Sequence, residues 1–263
     1  MPTRLRLYQV DAFSSQVFGG NPAAVCPLDA WLPDEVLQEI AAENNLSETA
    51  FVLRDEVRGW LIRWFTPTQE VDLCGHATLA AAYIVFNRLA PGLERAEFHS
   101  RSGSLVVTQQ EGEWMEMDFP SWPPEPCPVP EGLIEALGAQ PRELLVSRDL
   151  VAVFDTEEQV RALAPDMARL AQLEYFAVVA TARGSEADFV SRFFAPRIGV
   201  PEDPVTGSAH CSLVPYWARV LGKSQLLAHQ VSARGGVLQC EDRGERVGIG
   251  GQAVLYLEGH ITL

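Results

Sequence analysis

The chain has 263 residues and a formal charge of −15, long enough for one large domain or for two of about 130 residues that each bury a core. No basic run appears, which excludes a general nucleic-acid or anionic-membrane surface, since phosphate binding needs clustered Lys and Arg. Five cysteines (Cys26, Cys74, Cys127, Cys211, Cys240) are odd in number and lack Cys-x-x-Cys spacing, so neither a disulfide framework nor a structural zinc site is indicated.

From the N-terminus, Met1-Pro2-Thr3-Arg4 lacks a signal-peptide apolar region, and the most apolar stretch, near Leu79 to Phe86, is far too short for a bilayer. A cytoplasmic address is expected. Strands are predicted at Leu5–Asp11, Ala50–Leu53, Trp60–Phe65, Leu105–Thr108 and Glu113–Phe119, where five to seven residues alternate or run apolar between turn signals. Six prolines from Pro120 to Pro130 then forbid helix and central strand alike and fit an extended connector. Beyond it come strands at Leu144–Val146, Leu150–Phe154, Phe176–Ala180, Asp188–Phe194, Gly236–Cys240, Arg246–Gly250 and Ala253–Leu257. Each half also carries a helix apolar on nearly every face, Gly75–Leu89 and Gly207–Leu221, the second with Pro215 as an expected distortion. A helix buried all round among antiparallel strands implies a sheet curled around it.

The halves are related. Residues 70–118 reappear ungapped 132 positions later, with nine identities in 49 pairs, against roughly three expected by chance. The glycine pairs Gly75/Gly207, Gly103/Gly235 and Gly112/Gly244 weigh most, because glycine recurs where the backbone needs a positive φ or a close approach. The expected domains are 1–118 and 131–263, joined by the connector 119–130, with the closing strands free to cross back to the first. Duplicated domains imply a ligand cleft where equivalent segments face each other.

Both helix starts begin at Gly and offer free backbone N–H groups and the positive end of a dipole, suited to a carboxylate. Ionisable residues stand beside them, Glu70-Val71-Asp72-Leu73-Cys74-Gly75-His76 in one half and Glu202-Asp203-Pro204-Val205-Thr206-Gly207-Ser208 in the other. The offset sets His76 opposite Ser208, Cys74 opposite Thr206 and Val71 opposite Asp203. The scaffold is symmetric and the chemistry is not.

Five ordered motifs now carry a resemblance: Gly20-Asn21-Pro22-Ala23-Ala24-Val25, Asn45-Leu46-Ser47-Glu48-Thr49-Ala50-Phe51, Phe65-Thr66-Pro67, Asp72-Leu73-Cys74-Gly75-His76-Ala77-Thr78 and Glu202-Asp203-Pro204-Val205-Thr206-Gly207-Ser208-Ala209. Together they resemble the phenazine-biosynthesis PhzF-like family. The resemblance implies an α+β fold of duplicated diaminopimelate-epimerase-like domains, each a curled, mostly antiparallel sheet around a central buried helix, and a homodimer. It implies an isomerase acting without metal or organic cofactor on a small carboxylate such as trans-2,3-dihydro-3-hydroxyanthranilate. Carried onto this chain, Glu48 is the acid/base, His76 and Asp203 join it as catalytic residues, and Asn21, Gly75, Gly207 and Ser208 bind substrate.

Moving a double bond requires taking a proton from one carbon and returning one elsewhere, and a single carboxyl between the two positions can do both. Cys74 occupies the place where the epimerase relative carries a catalytic thiol, but Thr206 stands opposite, so a two-thiol racemase is incomplete. Cys74 then reads as a small buried residue. Two alternatives remain at this stage: an amino-acid epimerase using Glu48 with Cys74, and a binding protein that kept the fold and lost turnover.

Overall fold

The computed structural model describes residues 4–263. Two compact units divide the chain, Met1–Asp118 with Gly250–Leu263, and Phe119–Ile249.

The first unit runs β1 (Arg4–Ala12), β2 (Asn21–Leu28), α1 (Asp34–Asn44), β3 (Glu48–Asp55), β4 (Gly59–Phe65), β5 (Glu70–Val71), α2 (Gly75–Ile84), β6 (Arg95–Ser100), β7 (Gly103–Gln109) and β8 (Met115–Pro120). The C-terminal strand Ala253–Thr262 returns to pair antiparallel with β1. From there β1–β2 is antiparallel, β2–β3 parallel, β3–β4 and β4–β5 antiparallel, β4–β6 parallel, and β6–β7 antiparallel. Eight of the ten residues of α2 are buried, and it packs on β1, β2 and β3. The predicted helix Gly75–Leu89 is helical throughout, but its last turn widens to a π-turn over Val85–Leu89, closed by Ala90 N–H donating to Val85 O at 2.7 Å.

The second unit contains β9 (Glu125–Pro126), α3 (Leu133–Leu137), β10 (Glu143–Val146), β11 (Leu150–Val153), α4 (Glu157–Ala162), α5 (Met167–Leu170), β12 (Val178–Arg183), β13 (Phe189–Ala195), β14 (Val200–Asp203), α6 (His210–Leu221), β15 (Gln225–Gln230), β16 (Gly236–Asp242) and β17 (Arg246–Gly251). Its pairings repeat the first series: β10–β11 antiparallel, β11–β12 parallel, β12–β13 and β13–β14 antiparallel, β13–β15 parallel, β15–β16 antiparallel. The predicted second helix starts differently from its twin, as a 3-10 turn over Gly207–Ala209 that becomes α-helical at His210. Pro215 lies inside α6. Lacking an N–H, it leaves the carbonyl one turn back without its helical donor, and Trp122 N–H donates to that Cys211 oxygen at 2.9 Å.

Two of the three glycine pairs show the positive φ that the repeat implies. Gly103 and Gly235 have φ of 104° and 67°, Gly112 and Gly244 of 68° and 80°, all in the region that disfavours a side chain. A further duplicated feature escaped the ungapped comparison. Arg63 on β4 grips Glu70 through Nε–Oε1 at 2.7 Å and Nη2–Oε2 at 2.8 Å, and Arg192 on β13 grips Glu202 in the same way at 2.8 and 2.9 Å. Each guanidinium also covers a phenylalanine two residues on, Phe65 at 5.1 Å and Phe194 at 4.9 Å.

Several elements differ from expectation. β2 was hidden by Pro22 and Pro27, and α1, β6 and β15 carried weaker patterns. The strand expected at Phe176–Ala180 runs Val178–Arg183, and that at Glu113–Phe119 begins at Met115, after a 3-10 turn over Glu111–Glu113. Within the proline-rich connector, Glu125 and Pro126 form an edge strand on β10.

Candidate active site

Helix α1 sets the position of Glu48. Its Leu37, Ile40 and Ala41 are buried against Cys26, Phe51 and Phe65, each large side chain contributing about 1.5–3 kcal/mol. Asn45 then takes a left-handed conformation (φ 49°) and donates its N–H to Ala41 O, ending the helix. The chain turns at once into β3, whose first residue is Glu48, and Asn44 Nδ2 donates to Thr49 Oγ1 at 3.0 Å, fixing the corner.

On β2 the register sets Ala23 beside Glu48. Successive side chains alternate across a strand, so Asn21, two residues before Ala23 and buried, shares the face of β2–β3 that carries Glu48. Gly20 precedes it at φ 64°, where an added Cβ would collide with the Ala12 carbonyl, so only glycine lets the chain enter β2 there.

His76 lies in the first turn of α2, directly after Gly75, with Cys74 as the N-cap residue. Thr78 Oγ1 donates to the Cys74 carbonyl at 2.6 Å and holds that turn. Glu48 Oε2 and His76 Nε2 are 3.1 Å apart, yet neither atom has an aligned hydrogen-bond partner among the described residues, and both are shut off from solvent. On the other side of the ring, Cys74 Sγ is 3.5 Å from His76 Nδ1. Burial raises the Cys74 thiol to about 11, with the Glu48 charge adding to it, so the thiol is protonated at neutral pH. Burial disfavours the His76 imidazolium, but the Glu48 carboxylate beside it opposes that and holds His76 above the ordinary histidine range. With the thiol protonated, Glu48 is the partner that holds the His76 proton.

In the second unit Asp203 ends β14, and Gly207 and Ser208 open the 3-10 turn before α6. Thr206 Oγ1 donates to Asp203 Oδ2 at 2.5 Å. Gln230, fully buried on β15, donates to Asp203 O at 2.8 Å and accepts from Thr206 N–H at 2.8 Å, clamping the loop that carries Asp203. His210 repeats the role of Thr78, donating Nδ1–H to the Thr206 carbonyl at 2.9 Å, and burial pushes its pKa down to about 4.

The structure thus groups Glu48, Gly75 and His76 in the first unit, with Cys74 among them, and Asp203, Gly207 and Ser208 in the second. Gln230 was missed by sequence reasoning, and Thr206 was read there only as the residue opposite Cys74. A glutamine carries no chemical signature of its own, and only the contact between β15 and the Asp203 loop reveals its role.

Two like α+β units, each with strands around a buried helix, make up a diaminopimelate-epimerase-like fold. The chain matches the family described as PhzC-PhzF, phenazine biosynthesis-like protein, over residues 10–259, and it belongs to that family. It is 56% identical over 260 residues to an uncharacterized isomerase of Pseudomonas aeruginosa, covering 98% of this chain and 99% of that one. A crystal structure of a phenazine biosynthesis protein of the PhzF family from Enterococcus faecalis matches with a TM-score of 0.96 at 47% identity, covering 99% of this chain and 100% of the other. A hydroxyproline epimerase from Agrobacterium vitis shares the fold at a TM-score of 0.63 and 9% identity, over 99% of this chain and 93% of that one. The protein is therefore an isomerase-type enzyme. Among the described residues no helix is long and apolar enough to cross a membrane.

Proposed function

We propose that this protein is a cofactor-independent isomerase that moves a proton, and with it a double bond, on a small carboxylate resembling trans-2,3-dihydro-3-hydroxyanthranilate. The observation that carries the reading is the Glu48–His76 pair: two buried polar atoms 3.1 Å apart, neither aligned with a protein hydrogen-bond partner. Buried polar atoms in a native protein are ordinarily satisfied, and an unsatisfied acid/base pair is suited to a substrate proton. In the proposal Glu48 takes a proton from one carbon and delivers it to another. His76 holds the carboxylate charge and polarises a substrate oxygen. Asn21 supplies a further polar contact, and the backbone N–H groups at Gly75 take the substrate carboxylate.

A second reading, an amino-acid epimerase using Glu48 with Cys74, draws on the 3.5 Å approach of Cys74 Sγ to His76. One experiment separates the readings. Small acids captured by the protein from a cell extract are identified by mass spectrometry and returned to it in deuterated water. Deuterium at a new carbon with a shifted double bond supports the isomerase, deuterium at the original centre with inverted configuration supports the epimerase, and bound acid without exchange defeats both.

A further inference from the structure

The start of α2 adds to the Glu48–His76 pair a thiol that the proposed reaction does not use. Cys74, His76 and Glu48 bring a thiol, an imidazole and a carboxylate whose donor atoms all lie within 4.8 Å of one another. Cys74 and His76 are buried and Glu48 is half-buried. Sulfur, nitrogen and oxygen in one cluster form the mixed donor set favoured by a borderline-soft divalent cation, and three protein ligands with one open position are the pattern of a zinc site accessible to small molecules. A hard ion such as Mg2+ would reject the sulfur.

The distances suit that ion. Zinc bonds of about 2.3 Å to sulfur and about 2.05 Å to nitrogen, set tetrahedrally, span an edge of about 3.5 Å. Cys74 Sγ and His76 Nδ1 stand 3.5 Å apart already. Backbone geometry holds that edge, because Cys74 is the N-cap residue of α2, His76 lies in its first turn, and Thr78 ties the Cys74 carbonyl into the helix. Glu48 enters from β3 on the Nε2 side of the ring, a carboxylate oxygen lies within 4.8 Å of the other donor atoms, and the carboxylate turns toward the Cys74–His76 edge to close the third corner. Its Oε2 has no aligned hydrogen bond to break.

We infer that Cys74, His76 and Glu48 form a site for zinc or a similar thiophilic divalent cation, and that an ion bound there switches the enzyme off. As the metal binds, the Cys74 S–H proton and the His76 Nδ1 proton both leave to solvent, and Glu48 becomes a ligand instead of a base. The ion acts as an inhibitor, not as a cofactor.

The test uses Co2+ as a spectroscopic stand-in and Zn2+ itself, added to the intact protein. Cobalt is expected to give a near-ultraviolet thiolate charge-transfer band and the strong visible bands of a tetrahedral site. In competition with a chromophoric chelator, one Zn2+ per chain is expected at this site. Cys74→Ser should abolish the charge-transfer band and weaken Zn2+ binding by at least about a hundredfold. Glu48→Gln should keep the band while weakening Zn2+ about tenfold or more. Cys127→Ser, which replaces the one cysteine that is not buried, should leave both unchanged, and Mg2+ should not compete. Wild-type protein without the band, or Zn2+ affinity unaltered in Cys74→Ser while circular dichroism shows it folded, overturns the inference. Should Cys74→Ser fail to fold, the wild-type band and the Glu48→Gln titration decide. No substrate enters these measurements, so a failed metal site leaves the isomerase reading intact, and a failed isomerase reading leaves the metal site intact.

Discussion

Glu48 reaches to 3.1 Å from the Nε2 of His76 and stops short of an aligned hydrogen bond, although both atoms are sealed from solvent. The pair is held by separate elements, one by the left-handed end of α1 and the other by the first turn of α2. Its geometry is therefore fixed before any ligand arrives.

Replacing Glu48 by Gln should preserve fold and small-acid binding but lower turnover by about two orders of magnitude or more, the scale of general acid–base help. Steady-state kinetics with the captured substrate, alongside calorimetric binding, provide the check. Turnover near that of the wild type would remove Glu48 from the mechanism.

Cys74→Ala should cost turnover less than about tenfold, because the thiol is protonated at neutral pH and transfers no proton in a single-carboxyl mechanism. Loss of proton exchange in a folded, substrate-binding Cys74→Ala protein would instead favour the epimerase reading.

The raised pKa of His76 should be visible without substrate. Its imidazole signals, followed by NMR, should titrate well above the usual range in the wild type and move down in Glu48→Gln, where the holding charge is gone. The linkage has a definite sign. A histidine whose folded pKa is raised adds stability that is fully present below its unfolded value near 6.5 and disappears as pH rises through the folded value. The wild type should therefore lose more stability on the alkaline side than Glu48→Gln does.

His210 works in the opposite direction. Its folded pKa of about 4 lies below the unfolded value, so its contribution is complete above about pH 6.5 and is lost as pH falls toward 4, to a total of about 3 kcal/mol. His210→Thr copies the back-bond made by Thr78 and removes this titration. Urea unfolding at pH 7, 5 and 4 should show the variant less stable than the wild type at pH 7 because of the cavity, with the gap narrowing at lower pH. The comparison must be made against the wild type, since Asp149, buried and raised to about 6, gains stability over part of the same range as pH falls. A gap that stays constant with pH would refute the assignment.

Glu202→Gln removes the charge that receives both arms of Arg192, in a pair whose side chains are only 12% and 23% exposed. A loss of about 1–3 kcal/mol is expected. Arg192→Lys should not restore it, because an ammonium can neither bind both oxygens nor cover Phe194 flat. Denaturant midpoints of the three proteins settle the point.

Much of this organisation was legible in the chain. The buried helices announced themselves by apolar residues on every face, and Gly103, Gly112 and their partners marked positive-φ turns shared by both halves. The Arg–Glu clamps were not visible, because seven residues separate Arg63 from Glu70 while ten separate Arg192 from Glu202, and an ungapped comparison beginning at Glu70 cannot absorb that difference. Strand β2 was hidden because its prolines argue against a central strand, although Pro22 pairs opposite Asp11 all the same. The motif around Glu48 pointed to the carboxylate but not to its setting, since the contact with His76 joins residues that no periodicity links. Cys74 was read as a small buried residue, and it is buried, but its sulfur also faces the His76 ring.

Pro215 and Trp122 give the proline-rich segment a further meaning. The vacancy that proline opens in α6 is filled by an N–H from the residue two past Pro120, so the proline-rich segment is keyed into the first turn of α6. A cut made at the last proline of that segment would strip the helix of its replacement donor, whereas a cut ahead of Phe119 would keep it. Pro215→Ala, by supplying a native helical N–H, would give that oxygen a second donor and make the helix less dependent on the strap.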